Sequence, residues 1–166
     1  TLYANADGVQ AEYRTDSEQL MDRYILAKCR EAVATIETAM DDYDTPRSCK
    51  AVEDFFEVLN NWYIRRSRDR FWSSSSEGVS DDKQAAYNTL YTCLVTIVTA
   101  ASPLLPMLCE TIYRGLTEGE SVHLADYPDV SAFPESTELV ADMDRVRDVC
   151  NAGLGIRNTE NVRTVS

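Results

Sequence analysis

Histidine and closely spaced cysteines are scarce in this sequence. Its 166 residues include one histidine, His123, and five cysteines that stand at least sixteen positions apart. Zinc sites are usually built from clustered cysteine and histidine ligands, and small disulfide frameworks from an even number of cysteines. We therefore expect no metal site and no disulfide within the chain, and we predict reduced, mostly buried thiols.

Motifs that carry catalysis are also missing. The chain has no glycine-rich motif of the form GxGxxG or GxxxxGK[ST], and no HExxH motif. Since no nucleophile stands beside His123, we expect this residue to pack a short extended segment, 121–124, against the protein body. Two pairs of adjacent aspartates are interpreted as helix-end charges and solvated surface: Asp41/Asp42 and Asp81/Asp82. We expect no catalytic residue in this chain.

Long apolar runs are absent, and we expect no signal peptide. No stretch is apolar enough over the length that a bilayer requires, so we expect no membrane contact and a cytoplasmic location. A length of 166 residues is typical of one domain with short appendages. Because the chain begins at Thr1 rather than at methionine, we predict that it is a piece of a longer protein.

Positive charge is scarce overall but concentrated in one stretch. The net charge is −12 and the isoelectric point is about 4.4, which argues against a protein that coats nucleic acid nonspecifically. Residues 60–72, NNWYIRRSRDRFW, hold four arginines, one aspartate and four aromatic residues, including both tryptophans. Guanidinium groups bind phosphates in a fork geometry, and aromatic faces stack on bases. This stretch therefore predicts a local contact with nucleic acid.

Apolar residues recur at helical spacing through most of the chain. The pattern predicts helices over residues 17–43, 45–72, 80–101 and 103–116, and a last one from about 136 that weakens at Gly153. The expected N-caps are Ser17, Thr45, which precedes Pro46, and Ser80. We predict an all-α fold, a bundle of four to five amphipathic helices.

The same spacing selects the side chains that should face the core. In the first helix these are Ile25, Cys29, Ala32, Ile36 and Met40. In the second they are Val52, Phe56, Leu59 and Tyr63, flanked by Phe55 and Trp62. In the third they are Ala86, Leu90, Leu94, Ile97 and Ala101, and in the fourth Leu105, Leu108, Ile112 and Leu116. Trp62 and Tyr63 are interpreted as core residues.

The second helix changes character towards its end. Beyond Tyr63 the core-facing stripe continues into Arg66 and Arg70, so this end is expected to project beyond the core. An alternative explanation is that arginines near a helix C-terminus interact favourably with the helix dipole. The predicted organisation is a linker from an upstream domain at 1–16, the bundle at 17–134, and a C-terminal helix at 135–166 that leads to a following domain.

Several stretches resemble one family in the same order. The anticodon-binding bundle of class I aminoacyl-tRNA synthetases, and of the isoleucine enzymes in particular, is similar to LMDRYILAKC (20–29), AVEDFFEVLNNWYIRRSRDRFW (51–72), the run at 86–116, ESVHLADYPD (120–129) and the segment 143–166. The resemblance covers nearly the whole chain. Ser102, Leu105 and Met107 depart from the family pattern.

This resemblance implies an anticodon-binding domain of a cytoplasmic, monomeric enzyme that uses ATP to join isoleucine to its tRNA. The upstream domain would then be the catalytic one. The catalytic motifs, the editing domain and the zinc-binding cysteines of such enzymes are not among these 166 residues. No cofactor is therefore expected in this chain, and ATP, magnesium and zinc are expected for the parent enzyme.

The hypothesis for the tRNA-binding residues follows from the resemblance and from side-chain chemistry. Stacking surface is expected from Phe71 and Trp72, contacts to base edges or phosphates from Arg66 and Arg70, and backbone contacts from Arg65 and Arg68. Two other interpretations remain open. The chain could be a helical protein–protein interaction module whose arginine and aromatic end binds an acidic partner, or a free-standing regulatory fragment.

Overall fold

The computed structural model describes residues 8–73 and 79–159. Its elements are α1 (Leu20–Asp41), α2 (Thr45–Val58), a π-helical turn (Leu59–Ile64), α3 (Arg68–Trp72), α4 (Asp81–Ala100), α5 (Pro106–Leu116), a 3₁₀ turn (Val122–Leu124) and α6 (Thr137–Thr159). No strand occurs among these described residues, so the prediction of an all-α fold is confirmed. The chain divides into two units after Glu135, and α6 belongs to the second.

Helix α1 supplies the centre of the first unit and contacts α2, the π-helical turn and α4. Four of the five predicted core positions of α1 are confirmed, because Ile25, Cys29, Ala32 and Ile36 are buried, whereas Met40 is half-buried. Its predicted start is wrong. The helix begins at Leu20 without a side-chain cap, and Ser17 instead donates its hydroxyl to Oδ2 of Asp22 at 2.8 Å. The buried Asp22 carboxylate needs hydrogen-bond donors, which explains why Ser17 serves it.

The connection between α1 and α2 is a Schellman motif. Tyr43 adopts the left-handed conformation with φ of 58°, and its N–H donates to the Met40 carbonyl at 3.0 Å. The N–H of Asp44 donates to the Ala39 carbonyl at 2.7 Å, which completes the motif. Asp44 then caps α2, since its carboxylate accepts from the Arg47 N–H at 3.1 Å. The predicted cap, Thr45, is one residue too late.

Helix α4 begins as predicted, with the Ser80 hydroxyl accepting from the Lys83 N–H at 3.2 Å. Its predicted face is confirmed at Ala86, Ile97 and Ala101, which are buried, but Leu90 and Leu94 are only half-buried. The side chains that replace them in the interior are three threonines: Thr89, Thr92 and Thr96.

The N-terminal segment explains two of the buried threonines of α4, Thr92 and Thr96. The Arg14 N–H donates to the Thr92 hydroxyl at 2.8 Å, and the Tyr13 hydroxyl lies 3.0 Å from that of Thr96. The Glu12 N–H also donates to the Asn88 side chain at 2.9 Å. The part of the expected linker that the structure describes therefore packs along α4. Polar side chains are required there because the backbone of this segment has no helix or strand partner.

The region after α4 differs most from the predicted pattern. Leu105 and Leu108 are 44% and 54% exposed, and the buried residue of α5 is Cys109. The segment expected to be extended forms the 3₁₀ turn, in which Val122 is buried and His123 is exposed. The carboxylate of Glu110 holds this turn, accepting from the Ser121 hydroxyl and the Val122 N–H at 2.9 Å each.

The remaining findings concern α6, the cysteines and membrane crossing. Helix α6 continues to Thr159, past Gly153, where the sequence pattern weakens. All five cysteines carry free thiols, of which three are buried. None of the helices within the described ranges is both long and apolar enough to cross a membrane.

The N-cap of α2 provides a test of this local structure. Asp44→Ala should lower the free energy of unfolding by about 1 kcal/mol, because the first turn of α2 loses its side-chain acceptor. Thr45→Ala is the matched control, and it should change stability by less than about 0.5 kcal/mol since no cap is lost. Urea unfolding of both variants measures the difference. A larger loss in Thr45→Ala than in Asp44→Ala would contradict the assignment of the cap.

Candidate nucleic-acid interface

The π-helical turn interrupts the single long helix predicted over 45–72. A π turn contains an extra residue, so it rotates the following side chains relative to a continuous α-helix. From Tyr63, which lies in the turn itself, the buried positions continue at steps of four to Ser67 and Phe71, and Arg66 is exposed. The predicted continuation of the core stripe into Arg66 is therefore wrong. Upstream of the turn, Phe55 is buried and Phe56 is half-buried, the reverse of the prediction.

A buried ion pair fixes α3 to the rest of the first unit. Arg70 donates from Nη1 to Oδ1 of Asp22 at 2.7 Å and from Nη2 to Oδ2 at 3.0 Å. The Asp22 side chain is fully buried, and that of Arg70 is 18% exposed. Arg70 also donates from Nε to the Asp82 carboxylate at 2.9 Å, so its guanidinium connects α1, α3 and α4.

Two hydroxyl groups complete the coordination of the Asp22 carboxylate. Tyr63 donates to Oδ1 at 2.7 Å, and Ser17 donates to Oδ2 at 2.8 Å. Burial by itself raises the pKa of Asp22, but the hydrogen bonds from Arg70, Tyr63 and Ser17 outweigh it, and the pKa lies below its ordinary value. Burial and the adjacent carboxylate raise the pKa of the Tyr63 phenol well above its ordinary value, so Tyr63 remains a donor.

Phe71 belongs to a buried cluster of aromatic side chains. It is 7% exposed and makes edge-on contacts with Tyr63 and Tyr87, at ring-centroid distances of 6.2 Å and 5.1 Å. Edge-on aromatic pairs of this kind add to the stability gained from burial. Tyr63 is fully buried, as predicted, whereas Trp62 is only half-buried. The structure thus places Phe71 and Arg70 in the packing of α3.

The other four residues of the hypothesis are exposed on one segment: Arg65, Arg66, Arg68 and Trp72. Two of the arginines stack on tryptophans. The guanidinium carbon of Arg66 lies 4.4 Å from the ring centroid of Trp62, and that of Arg68 lies 4.6 Å from the ring centroid of Trp72. Cation–π contacts hold each guanidinium plane while leaving its N–H groups at the edge available. The segment from the π turn through α3 therefore presents a surface that is both cationic and aromatic.

A groove of about 530 Å³ opens beside these residues. Its lining combines an apolar part, formed by Ile64, Phe71, Trp72, Tyr87 and Leu90, with a polar part formed by Asn60, Asn61, Arg65 and Arg68. Apolar walls with a few polar groups are typical of binding sites for small planar ligands. The groove can accept a ring system and offer hydrogen bonds to its edge.

The hypothesis from the sequence identified the segment 60–72 but missed three residues of the site: Asp22, Asn60 and Tyr87. Asp22 is part of the LMDRYIL stretch that carries the resemblance, yet nothing in the local pattern shows its partner 48 residues away. Asn60 was included in the 60–72 stretch without a role. Tyr87 was given no role, because aromatic residues are common on the apolar face of a helix and no signal in the sequence connects it to the groove.

The described part of the chain contains no candidate metal site. Within residues 8–73 and 79–159, no three histidine, cysteine, aspartate or glutamate side chains lie close enough to hold a metal ion.

Comparison with known proteins gives one family match and relatives that are all tRNA ligases. Residues 22–165 match the family described as the anticodon-binding domain of tRNA ligase. An isoleucine–tRNA ligase of Wolbachia pipientis wMel is 52% identical over 164 residues, which cover 98% of this chain and 14% of that protein. The isoleucine–tRNA ligase of Rickettsia bellii strain OSU 85-389 is 47% identical over 185 residues, or 98% of this chain and 16% of that protein. The chain thus spans about a seventh of these curated relatives.

The ion pair predicts a pH-dependent stability. Asp22→Asn should lower the free energy of unfolding at pH 7 by roughly 3 kcal/mol, because the Arg70 charge loses its main partner. A carboxylate whose folded pKa is depressed stabilises the protein above its unfolded pKa, near 3.8, and loses that effect as the pH falls through the lower folded value. The difference between wild type and variant should therefore shrink below about pH 4.

Denaturant unfolding between pH 7 and pH 2.5 measures this difference. Asp69→Asn is the control, since Asp69 is an exposed aspartate on the same short helix. It should change stability by less than about 0.5 kcal/mol at pH 7. A constant difference between wild type and Asp22→Asn over the whole range would show that the Asp22 charge does not stabilise the fold.

Proposed function

The chain belongs to the family of anticodon-binding domains of tRNA ligases, and from this premise we propose that the surface formed by Arg65, Arg66, Arg68 and Trp72 binds the anticodon loop of an isoleucine tRNA. Unstacked loop bases offer their faces and edges, which bases inside an A-form duplex do not. The observation that supports this site best is the exposed pairing of guanidinium groups with tryptophan rings beside a groove.

The distribution of charge supports the same site. Residues 60–72 carry four arginines and one aspartate, a local charge of 4 − 1 = +3, on a chain of net charge −12. The rest of the chain, at −15, repels phosphates, so an anionic loop is directed to this one surface. Phosphate contacts position the loop, and contacts to base faces and edges distinguish one loop from another.

The proposed roles are divided between the exposed and the packed side chains. Trp72, which is half-exposed, offers a stacking surface for a base, and the exposed arginines contact phosphates and base edges. Arg70 and Phe71 stand behind this surface: Arg70 holds α3 through Asp22, and Phe71 supports it through Tyr63 and Tyr87. We therefore propose indirect roles for these two, in place of the direct RNA contacts expected from the sequence.

The longer protein is proposed to be an isoleucine–tRNA ligase. The relatives carry that name, and the chain covers 14% to 16% of their length. ATP, magnesium and zinc would be bound in parts of that protein other than this chain, in a monomeric cytoplasmic enzyme. Residues 1–16 would connect to the upstream catalytic domain and residues 135–166 to the following domain. Contacts at the anticodon would also orient the distant acceptor end of the tRNA, so their loss would lower the rate as well as the affinity.

Binding of an RNA stem-loop tests the proposed function directly. The 166-residue chain should bind an isoleucine tRNA anticodon stem-loop more tightly than a loop with an altered anticodon. Arg66→Ala and Trp72→Ala should each weaken binding to the cognate loop by about tenfold or more, the magnitude typical of a lost stacking or bidentate contact. Arg47→Ala, which removes an exposed arginine at the other end of α2, is the matched control and should bind normally.

Salt dependence separates this function from the interaction-module alternative. Binding to RNA should weaken steeply between 50 and 200 mM salt, and Arg66→Ala should reduce the slope of log K against log salt by about 0.7 if one phosphate contact is lost. Unchanged affinity in both Arg66→Ala and Trp72→Ala would place the RNA-binding site on another part of the bundle. Equal affinity of the wild type for both loops would contradict anticodon recognition.

A further inference from the structure

Building on the proposed function, we propose that the groove beside α3 holds a single unstacked base of the anticodon loop and that the amide of Asn60 selects this base, with adenine preferred. Asn60 is then a specificity-determining residue. The geometry that points to this is the juxtaposition of an available amide with aromatic and apolar groove walls.

The dimensions and lining of the groove suit one nucleoside. Its volume of about 530 Å³ lies within the range of sites for small ligands. Phe71 and Tyr87, which are buried, contribute aromatic surface, and the half-exposed Trp72 contributes a second face. Arg65 and Arg68 line the same groove and can neutralise the phosphates on either side of an inserted base. A base placed here is surrounded by groups that match each part of a nucleotide.

The polar residues of the groove differ in their capacity to discriminate. A guanidinium group only donates hydrogen bonds, so Arg65 and Arg68 can bind phosphate oxygens and the acceptor atoms of a base. A side-chain amide carries a donor and an acceptor side by side, which matches the amino group and the neighbouring ring nitrogen of adenine. The amide of an asparagine therefore reads an edge that an arginine cannot read.

Within residues 8–73 and 79–159 the two asparagines differ, because the Asn61 amide makes a contact and the Asn60 amide makes none. The amide nitrogen of Asn61 donates to the Glu57 carboxylate at 3.5 Å. The Asn60 side chain is exposed and makes no hydrogen bond within residues 8–73 and 79–159. Both asparagines lie in the π-helical turn, and such turns occur frequently at functional sites. Asn60 can therefore use its donor and its acceptor for a ligand.

The test uses four stem-loops for each anticodon position, differing only in the base at that position. For the wild-type 166-residue chain we expect one position at which adenine binds about tenfold more tightly than the other bases. Asn60→Ala should weaken binding of the adenine loop by about that factor and bring the four affinities close together. Asn61→Ala is the matched control and should keep the preference of the wild type. Circular dichroism of each variant confirms that the helices are retained.

The outcomes separate this inference from the proposed function. If the wild type distinguishes anticodons but Asn60→Ala retains its preference for adenine, or weakens all four loops equally, Asn60 does not select the base and the inference is overturned. If the preferred base at the sensitive position is not adenine, the proposal that the Asn60 amide binds the edge of adenine is overturned. If the wild type binds all stem-loops equally, the proposed function itself fails, and the variants are not needed to show it.

Discussion

The ion pair between Asp22 and Arg70 is the interaction on which the site depends. A carboxylate that is fully buried has to be paired and fully hydrogen-bonded, because an isolated charge in the interior is very costly. Asp22 satisfies this requirement through Arg70, Tyr63 and Ser17, which come from three different parts of the chain. The pairing therefore ties a helix of only five residues to the core of the bundle, and an isolated helix of that length is unstable in water.

The same pairing explains how an arginine-rich segment can be both rigid and exposed. Four arginines within six positions repel one another, and each long side chain loses conformational entropy when it is held in one orientation. Arg70 is neutralised by carboxylates, and Arg66 and Arg68 are held against tryptophan rings. The cationic surface is thus ordered before any ligand arrives. Order of this kind reduces the entropy lost on binding.

The sequence predicted those features that depend on local patterns. The all-α fold, the Ser80 cap and the buried face of α1 follow from helical spacing and capping chemistry, which act within a few residues. The π turn could not be predicted, because no local pattern marks it. In the fold the turn contacts α1, and Tyr63 within it donates to Asp22 of that helix. Once it was missed, the side chains after Tyr63 were assigned to the wrong faces. Thr92 and Thr96 of α4 were missed for a similar reason, since their partners lie about 80 residues away in sequence. For the site, the segment was identified from its composition, while the burial of Phe71 and the pairing of Arg70 required the tertiary structure.

The hydrogen bonds between the N-terminal segment and α4 also set an order of events in folding. The pairs Glu12–Asn88, Arg14–Thr92 and Tyr13–Thr96 are separated by 76, 78 and 83 residues. Contacts this distant in sequence close a large loop, and the entropy lost in closing it is recovered only when both partners are already positioned. Residues 12–14 can therefore make these hydrogen bonds only when residues 88–96 are present and close to them. During synthesis residues 12–14 leave the ribosome before α4 does, so they reach their place only after the ribosome has added the helix that receives them.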